Sequence, residues 1–524
     1  MSKKFLLISS YYLFFLVIVF CSYFSLLHFF KNDIFYDTDI ARDFLLWQEM
    51  SDKHKLTLIG GRSSLPGLFH GPLYYWLGWP FFLLAGGNPL GVAVFWAGSY
   101  ALFIGSFFYL VKKFFSPLLS LAATALLMTL TWTIPAGFTH TTLANFLFLP
   151  FVAALSLYFY HQQGKFLGLA ILLEGAILQL QMAFGVPMLL VLGSYTLFAI
   201  IKNKRYAHLW WGFLLLLPLS TYLLFDCRHH WMQLQAVGAY LAAQTGESFP
   251  ADYLQARLVA ILDCFGLIKG SFVWQVKAWA VIAVIGAGTI WRLWRQKTKK
   301  ITPAQLLLNL CLLSVIGFWL VTAFYKTNIW PLYYRALLPG LVLLVTTAIF
   351  TLLPKKWAML LITLVVLNNF RDVFATASSY ARASATTDEV HWQFYRQMVS
   401  DINKDSAGES YGYYIFTPDQ YGYQAKYALQ YFGKNSPVLS FPYQKRHLTY
   451  LLIAPHQEDD AGGNPLLDVT SWRRDRVNIN RTADSSWFYA DNHQLSYTVE
   501  KFFLNDDELA QQSDPDLIVG LECR

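Results

Sequence analysis

Asp37, Asp39, Arg42 and Asp43 fall within ten residues, Phe35-Tyr-Asp-Thr-Asp-Ile-Ala-Arg-Asp-Phe44, of a chain in which only 14% of residues are charged. A carboxylate can take the proton of an attacking hydroxyl. An arginine offers a planar donor fork that fits phosphate or carboxylate. On a helix, Asp39 and Asp43 share one face and Arg42 sits one step round from them. Asp37, just before, reads as an N-cap or turn residue. Further on, Arg62 and the run His70-Gly-Pro-Leu-Tyr74-Tyr-Trp76 add cationic and hydrogen-bonding groups, and Asp226-Cys-Arg228-His229-His230 gathers four polar residues in five. This is the chemistry of proton abstraction beside a phosphate leaving group. Each residue has a plainer reading. Asp39 and Asp43 would solvate a helix end with Arg42 as partner, His70 would be a bonded structural histidine, Arg62 a solvated loop charge, and Asp226–His230 an interfacial anchor. The acidic cluster, His70-Gly-Pro and an aromatic helix occurring together favour chemistry for Asp39 and Asp43.

The elements that must position these residues are apolar. The 524 residues are 56% hydrophobic and 18% aromatic, with a mean hydropathy of +0.38, which places the chain among polytopic membrane proteins. Its net charge of +8 comes from basic clusters in short loops, which speaks for orientation in a membrane and against a nucleic-acid partner. The run Phe5–Phe30 exceeds the roughly 20 residues of a spanning helix and lacks a cleavage site, so it reads as a retained first span with a cytoplasmic N-terminus. Residues 31–88 are then the first external loop. It carries an amphipathic helix over Asp37–Glu49 and a second, interfacial helix over Leu73–Leu84, ended by Gly86-Gly87-Asn88-Pro89.

Further spans follow at Leu90–Val111, Leu118–Ile134, Leu143–Tyr160, Phe166–Met182, Phe184–Ile201, Leu209–Phe225, Phe272–Trp291, Leu306–Tyr325, Leu332–Leu353 and Met359–Asn369. That makes about eleven spans, with Lys/Arg clusters on alternate loops and an external C-terminus. Residues 1–370 form this transmembrane part, with a large external loop over 226–271. His140, Thr141 and Thr142 lie in another external loop, the threonines as helix caps. Gln179 and Gln181 either bond between helices or line a cavity. Cys227 and Cys264 share one external loop, where a disulfide would need the right distance.

From residue 371 the composition turns to that of a small α/β domain, 371–524. A helix is predicted over Asp388–Asn403, strands at Tyr411–Phe416 and Leu448–Ala454, a helix at Gln424–Tyr431, and two alternating segments within Ser485–Phe503. No phosphate-binding glycine loop occurs there. No spacing fixes a cofactor, and a divalent metal ion stays open.

Asp39-Ile-Ala-Arg-Asp43, His70-Gly-Pro-Leu-Tyr-Tyr-Trp76 and Phe225-Asp-Cys-Arg-His229, in this order and span pattern, resemble the GT-C class of membrane glycosyltransferases. The likeness is to the bacterial glycosyltransferase family 39 type, related to protein O-mannosyltransferases and to the transferase that adds aminoarabinose to lipid A. The resemblance covers most of residues 1–370. It implies a GT-C-like, polytopic α-helical protein of the bacterial inner membrane with a periplasmic C-terminal α/β domain. It implies an inverting transfer of a hexosyl or pentosyl group, at the extracytoplasmic face, from a polyprenyl-phosphate donor to a lipid, glycan or protein acceptor. The family's first-loop acidic residue falls on Asp39, with Asp43 supporting it; Arg42, Arg62, His70, Tyr74, Asp226, Arg228 and His229 are the implied substrate contacts. Two departures stand out. His70-Gly71 replaces a basic residue before Pro-Leu-Tyr-Tyr, and the second external loop, Phe138-Thr-His-Thr-Thr-Leu143, has no acidic residue. The competing classes are a transporter or flippase of a lipid-linked saccharide, which would want polar residues deep in the spans, and a non-catalytic scaffold. Glu174 is the main charge within a span.

Overall fold

The structure is a computed structural model that describes residues 3–63, 65–243, 251–263, 273–295, 301–325, 331–382, 389–418, 421–434, 436–455, 468–490 and 496–517. The chain forms two compact units. The first comprises Met1–Leu27, Leu56–Leu77 and Phe95–Ala381; the second comprises His28–Lys55, Gly78–Val94 and Arg382–Arg524.

The first unit is helical. Among the described residues of the chain, eight helices are long and apolar enough to cross a membrane: Ile8–Ser25, Pro89–Phe114, His140–His161, Met182–Lys202, Tyr206–Arg228, Pro303–Ala323, Leu332–Leu352 and Lys355–Arg382. The other three expected spans are the helices Pro117–Thr131, Gly164–Leu180 and Val273–Arg295, so the count of eleven is not established by length and apolarity alone. The helices Leu332–Leu352 and His140–His161 are 78% and 72% buried, which makes them the centre of the bundle, whereas Tyr206–Arg228 is 11% buried and leaves its apolar surface for lipid. Polar side chains tie neighbours together as interhelical hydrogen bonds: Ser25 Oγ donates to Trp132 O at 2.6 Å, and Ser156 Oγ to Pro303 O at 2.7 Å.

Three boundaries differ from expectation. The first helix stops at Ser25, and Leu27–Phe30 is a separate turn. Gln181 adopts ψ 91°, which breaks the chain between Gly164–Leu180 and the next helix. The final helix runs 28 residues, Lys355–Arg382, past the polar Asn368-Asn369 where Met359–Asn369 was expected to end. At 1.5 Å per residue it is about 42 Å long, more than the roughly 30 Å of hydrocarbon.

The second unit contains a five-stranded sheet of order β2-β1-β3-β5-β4, made of β1 (Tyr411–Phe416), β2 (Ser440–Pro442), β3 (Leu448–Ile453), β4 (Ser485–Ala490) and β5 (Ser496–Phe503). β1 pairs in parallel with β2 and β3, and β5 runs antiparallel between β3 and β4. Every residue of β1 and β3 is buried, as parallel strands covered on both faces must be. Tyr414, Phe416, Leu451, Ile453, Trp472 and Phe502 pack one face. The expected strands and helices of the tail are all found, at Trp392–Asp405 and Tyr423–Gly433 for the helices.

The same unit holds the first-loop helix Thr38–Asp52. Tyr36 N donates to Val390 O at 2.6 Å and Trp392 N to Ile34 O at 3.1 Å, so residues 34–36 pair with the start of the tail. Asp33, fully buried, bonds the His391 ring at 2.7 Å and accepts from Gln393 N at 3.0 Å. Phe44 packs on Tyr427 and Trp47 on Phe82. A helix is found at Leu73–Leu84, with the expected bounds. Gly86 and Gly87, at φ +58° and +82°, donate their N–H groups to the helix's last carbonyls, Leu83 O and Phe82 O, and turn the chain in a left-handed conformation that glycine adopts without strain.

Candidate functional site

Within the second unit, Asp37 is the N-cap of Thr38–Asp52, in extended conformation, accepting from Ile40 N at 2.9 Å. The helix then presents Asp39, Arg42 and Asp43 along one side. Arg42 bridges both carboxylates: Nη1 lies 2.7 Å from Asp39 Oδ1, and Nη2 lies 3.0 Å from Asp43 Oδ1. The two acids are not equivalent. The Asp43 side chain is 1% exposed and the Asp39 side chain 53%. Asp43 anchors the guanidinium from below, and Asp39 faces solvent in the first turn of the helix.

Burial pushes the Asp37 carboxyl up to about 6, reinforced by Asp39 and Asp43 and opposed by the Ile40 N–H and Arg42. The folded carboxyl thus holds its proton more tightly than the unfolded one, near 3.9. Its stabilising contribution is complete below about pH 4 and is lost as pH rises through about 6. Asp37→Asn keeps a capping oxygen, so the difference in thermal midpoint between variant and wild type is expected to move in the variant's favour from pH 4 to pH 7. A constant difference across that range would contradict the shift.

Within the first unit, residues 59–71 fold back on themselves. Gly60 N donates to His70 O at 2.7 Å and His70 N to Gly61 O at 2.9 Å, with a bridge between Arg62 and Phe69. Gly71 N then donates to Gln179 O at 2.7 Å. A Cβ on Gly71 would meet the Gln179 Cα at 2.9 Å, so this approach needs glycine. The buried His70 ring lies 4.3 Å from the ring of His140, centroid to centroid. Tyr74 is fully buried, its hydroxyl donating to Phe138 O at 2.8 Å and accepting from Trp96 Nε1 at 3.3 Å. Gln179 bonds Thr221 Oγ1 at 2.8 Å and also Pro218 O, which makes it an interhelical tie. Gln181 is buried with no hydrogen-bond partner for its amide among the described residues. The expected capping threonines are displaced: Thr139 occupies the N-cap of His140–His161, and Thr141 lies in the first turn, bonded to the Thr139 hydroxyl at 2.8 Å.

Asp226 has a role that its neighbours in sequence do not reveal. Its two oxygens accept from Gln233 N at 3.0 Å and Leu234 N at 3.2 Å, capping the helix Met232–Ala243 from the preceding helix. Gln233 Oε1 in turn accepts from Phe69 N at 3.1 Å, and Phe69 packs on Phe225 at 5.8 Å. Asp226→Ala is expected to cost about 1–2 kcal/mol, the size of a lost N-cap, and Asp226→Asn to restore most of it, read from thermal unfolding. His229 stacks on Phe225 at 4.0 Å with Nδ1 on Phe225 O at 2.8 Å. Arg62 and Arg228 are exposed. Because Arg62 is bridged to Phe69, and Phe69 packs on Phe225, both arginines belong to the same end of the helical unit. Cys227 is exposed and, among the described residues, free; Cys264, its candidate partner, lies outside them. Among the described residues no group of three or more His, Cys, Asp or Glu side chains could hold a metal ion.

No protein-family model matches the chain, and no curated protein matches it significantly by sequence. Its fold, however, matches solved structures over nearly its whole length. The crystal structure of ArnT from Cupriavidus metallidurans bound to undecaprenyl phosphate superposes with a TM-score of 0.58 at 13% identity, covering 96% of this chain and 98% of that one. The apo structure of the same protein gives 0.56 at 13% identity, with 93% and 97% covered. The GT-C-like architecture with a C-terminal sheet, expected from the sequence, is the architecture found.

Proposed function

We propose that this chain, with the fold of a protein crystallised on undecaprenyl phosphate, is an inner-membrane glycosyltransferase. In this reading it moves a sugar from a polyprenyl-phosphate carrier to a lipid, glycan or protein acceptor at the extracytoplasmic face, with inversion. The observation that carries the proposal is the asymmetric Asp39–Arg42–Asp43 cluster. One carboxylate is open to an acceptor, and the other is buried and fixes the arginine between them. Asp39 acts as the base for the acceptor hydroxyl as it attacks the anomeric carbon. Asp43 is a positioning residue that sets Arg42. On the first unit, the exposed Arg62 and Arg228, with His229, are proposed as cationic and hydrogen-bonding contacts for a phosphate. His70, Tyr74 and Asp226 shape the loop that carries Arg62 and the turn after Arg228. Residues 1–370 serve as the membrane part, with a cytoplasmic N-terminus, and 371–524 as an extracytoplasmic domain.

The test uses purified full-length protein in proteoliposomes with radiolabelled polyprenyl-phosphate sugars. Label passing to an acceptor is the expected result. Label crossing the bilayer still on its carrier would make the protein a flippase instead, and neither outcome would leave a scaffold.

A further inference from the structure

The apolar helices of the first unit line a half-open cavity of about 200 Å³, walled by Phe151, Leu155, Leu167, Glu174, Thr196 and His208 among others. None of its lining residues belongs to the clusters around Asp39, His70 or Asp226, and a ligand could occupy it whether or not the protein is a transferase. Glu174 is 3% exposed, and neither of its carboxyl oxygens has a hydrogen-bond partner among the described residues. It lies about 15 Å along the helix Gly164–Leu180 from its start, near the middle of that apolar helix. The other polar groups in the wall are served: Thr196 Oγ1 donates to Leu192 O at 2.7 Å, and His208 Nδ1 bonds the Tyr158 hydroxyl at 3.0 Å. A carboxyl buried without a partner costs the full desolvation of its oxygens, and an ionisable group within a span points to function unless a partner accounts for it. The cavity is the space from which a partner would come.

The surroundings narrow its chemistry. Ile200 and His208 line the cavity, and the chain between them carries the exposed Lys202, Lys204 and Arg205. These basic residues, near the cavity along the chain though not among its lining residues, disfavour a cation, and the buried acid disfavours an anion. A hydroxyl donates to a carboxylate, and both donates to and accepts from a neutral carboxyl. We propose that this cavity is a second ligand site, which takes a neutral apolar alcohol, the hydroxyl on Glu174 and the hydrocarbon body against Phe151, Leu155 and Leu167. Since a cavity of ~150 Å³ encloses a benzene, the space suits a body of about six to eight carbons. That body is either a small alcohol or the end of a longer membrane alcohol.

Thermal unfolding of the purified full-length protein in micelles, titrated with 1-hexanol, hexane, hexylamine and 1-dodecanol, tests this. Saturable stabilisation by 1-hexanol is expected, exceeding that by hexane and by hexylamine. Its apparent affinity should fall about tenfold in Glu174→Leu, the scale of one net hydrogen bond, and stay within about threefold in Glu174→Gln, whose amide still accepts. A stronger response to 1-dodecanol than to 1-hexanol assigns the site to a long membrane alcohol, and the reverse to a small one. No saturable response to 1-hexanol in the wild type, equal responses to hexane and 1-hexanol, a stronger response to hexylamine, or an unchanged response in Glu174→Leu would each overturn the site. Should Glu174→Leu not fold, Ala170→Phe fills the cavity and leaves the acid in place; loss of the 1-hexanol response there supports the site, and persistence overturns it.

Discussion

Asp39→Asn is expected to lower sugar transfer by about 10²–10⁴-fold, the range a positioned general base contributes, with the protein folded and inserted as before. The side chain is half exposed and makes one ion pair, to Arg42 at 2.7 Å. An amide keeps its size and still offers an oxygen to that guanidinium. It cannot take a proton. Arg42 also remains on Asp43 through two bonds, at 3.0 and 3.3 Å, so the helix keeps its charge pairing. Transfer rates from a polyprenyl-phosphate sugar, set beside thermal midpoint and membrane yield, separate chemistry from folding. Wild-type transfer in this variant would remove Asp39 from the mechanism.

Arg42→Ala is expected to act differently, by destabilising the second unit by about 3–5 kcal/mol, as breaking a buried pair from one side does. The Asp43 carboxylate, 1% exposed, would lose the guanidinium that faces it, among Ile40, Ala41, Phe44 and Trp47, which are themselves buried. The variant should unfold early or be recovered in low yield. Replacing the pair together, Arg42→Met with Asp43→Leu, should restore most of the stability, because a buried ion pair exchanged for apolar side chains of similar volume costs little. The double variant should remain inactive if the arginine holds Asp39. Equal stability of Arg42→Ala and wild type would show that Asp43 is not held as the geometry indicates.

These two variants mark where the sequence could be read and where it could not. The helix around Asp39 was legible from its cap and apolar spacing, and Leu73–Leu84 from Pro72 before it and the paired glycines after it. β1 and β3 were legible as short apolar runs. Local signals set all of these. The difference between Asp39 and Asp43 was not legible, because residues four apart share a helix face and only packing decides which is covered. The capping role of Asp226 was not legible, because the N–H groups it caps lie seven and eight residues on, beyond any capping pattern. The last helix runs past Asn369 because the charges of Arg371 and Asp372 do not end it; the two pair with each other at 3.1 Å on an exposed helical surface. The pairing of Phe35 with His391 joins segments far apart in the chain, and no local pattern predicts it.

That pairing has a practical outcome for anyone who shortens the protein. Residues 34–36 find their strand-like neighbours in 390–392, and Phe44 finds Tyr427. A version cut after the last apolar helix would strip the acid-bearing helix of its supporting surface, and its silence in an assay would say nothing about where the chemistry resides. Side chains facing outward from β4, such as Phe488, are by the same logic the safer places to attach a label or vary the tail.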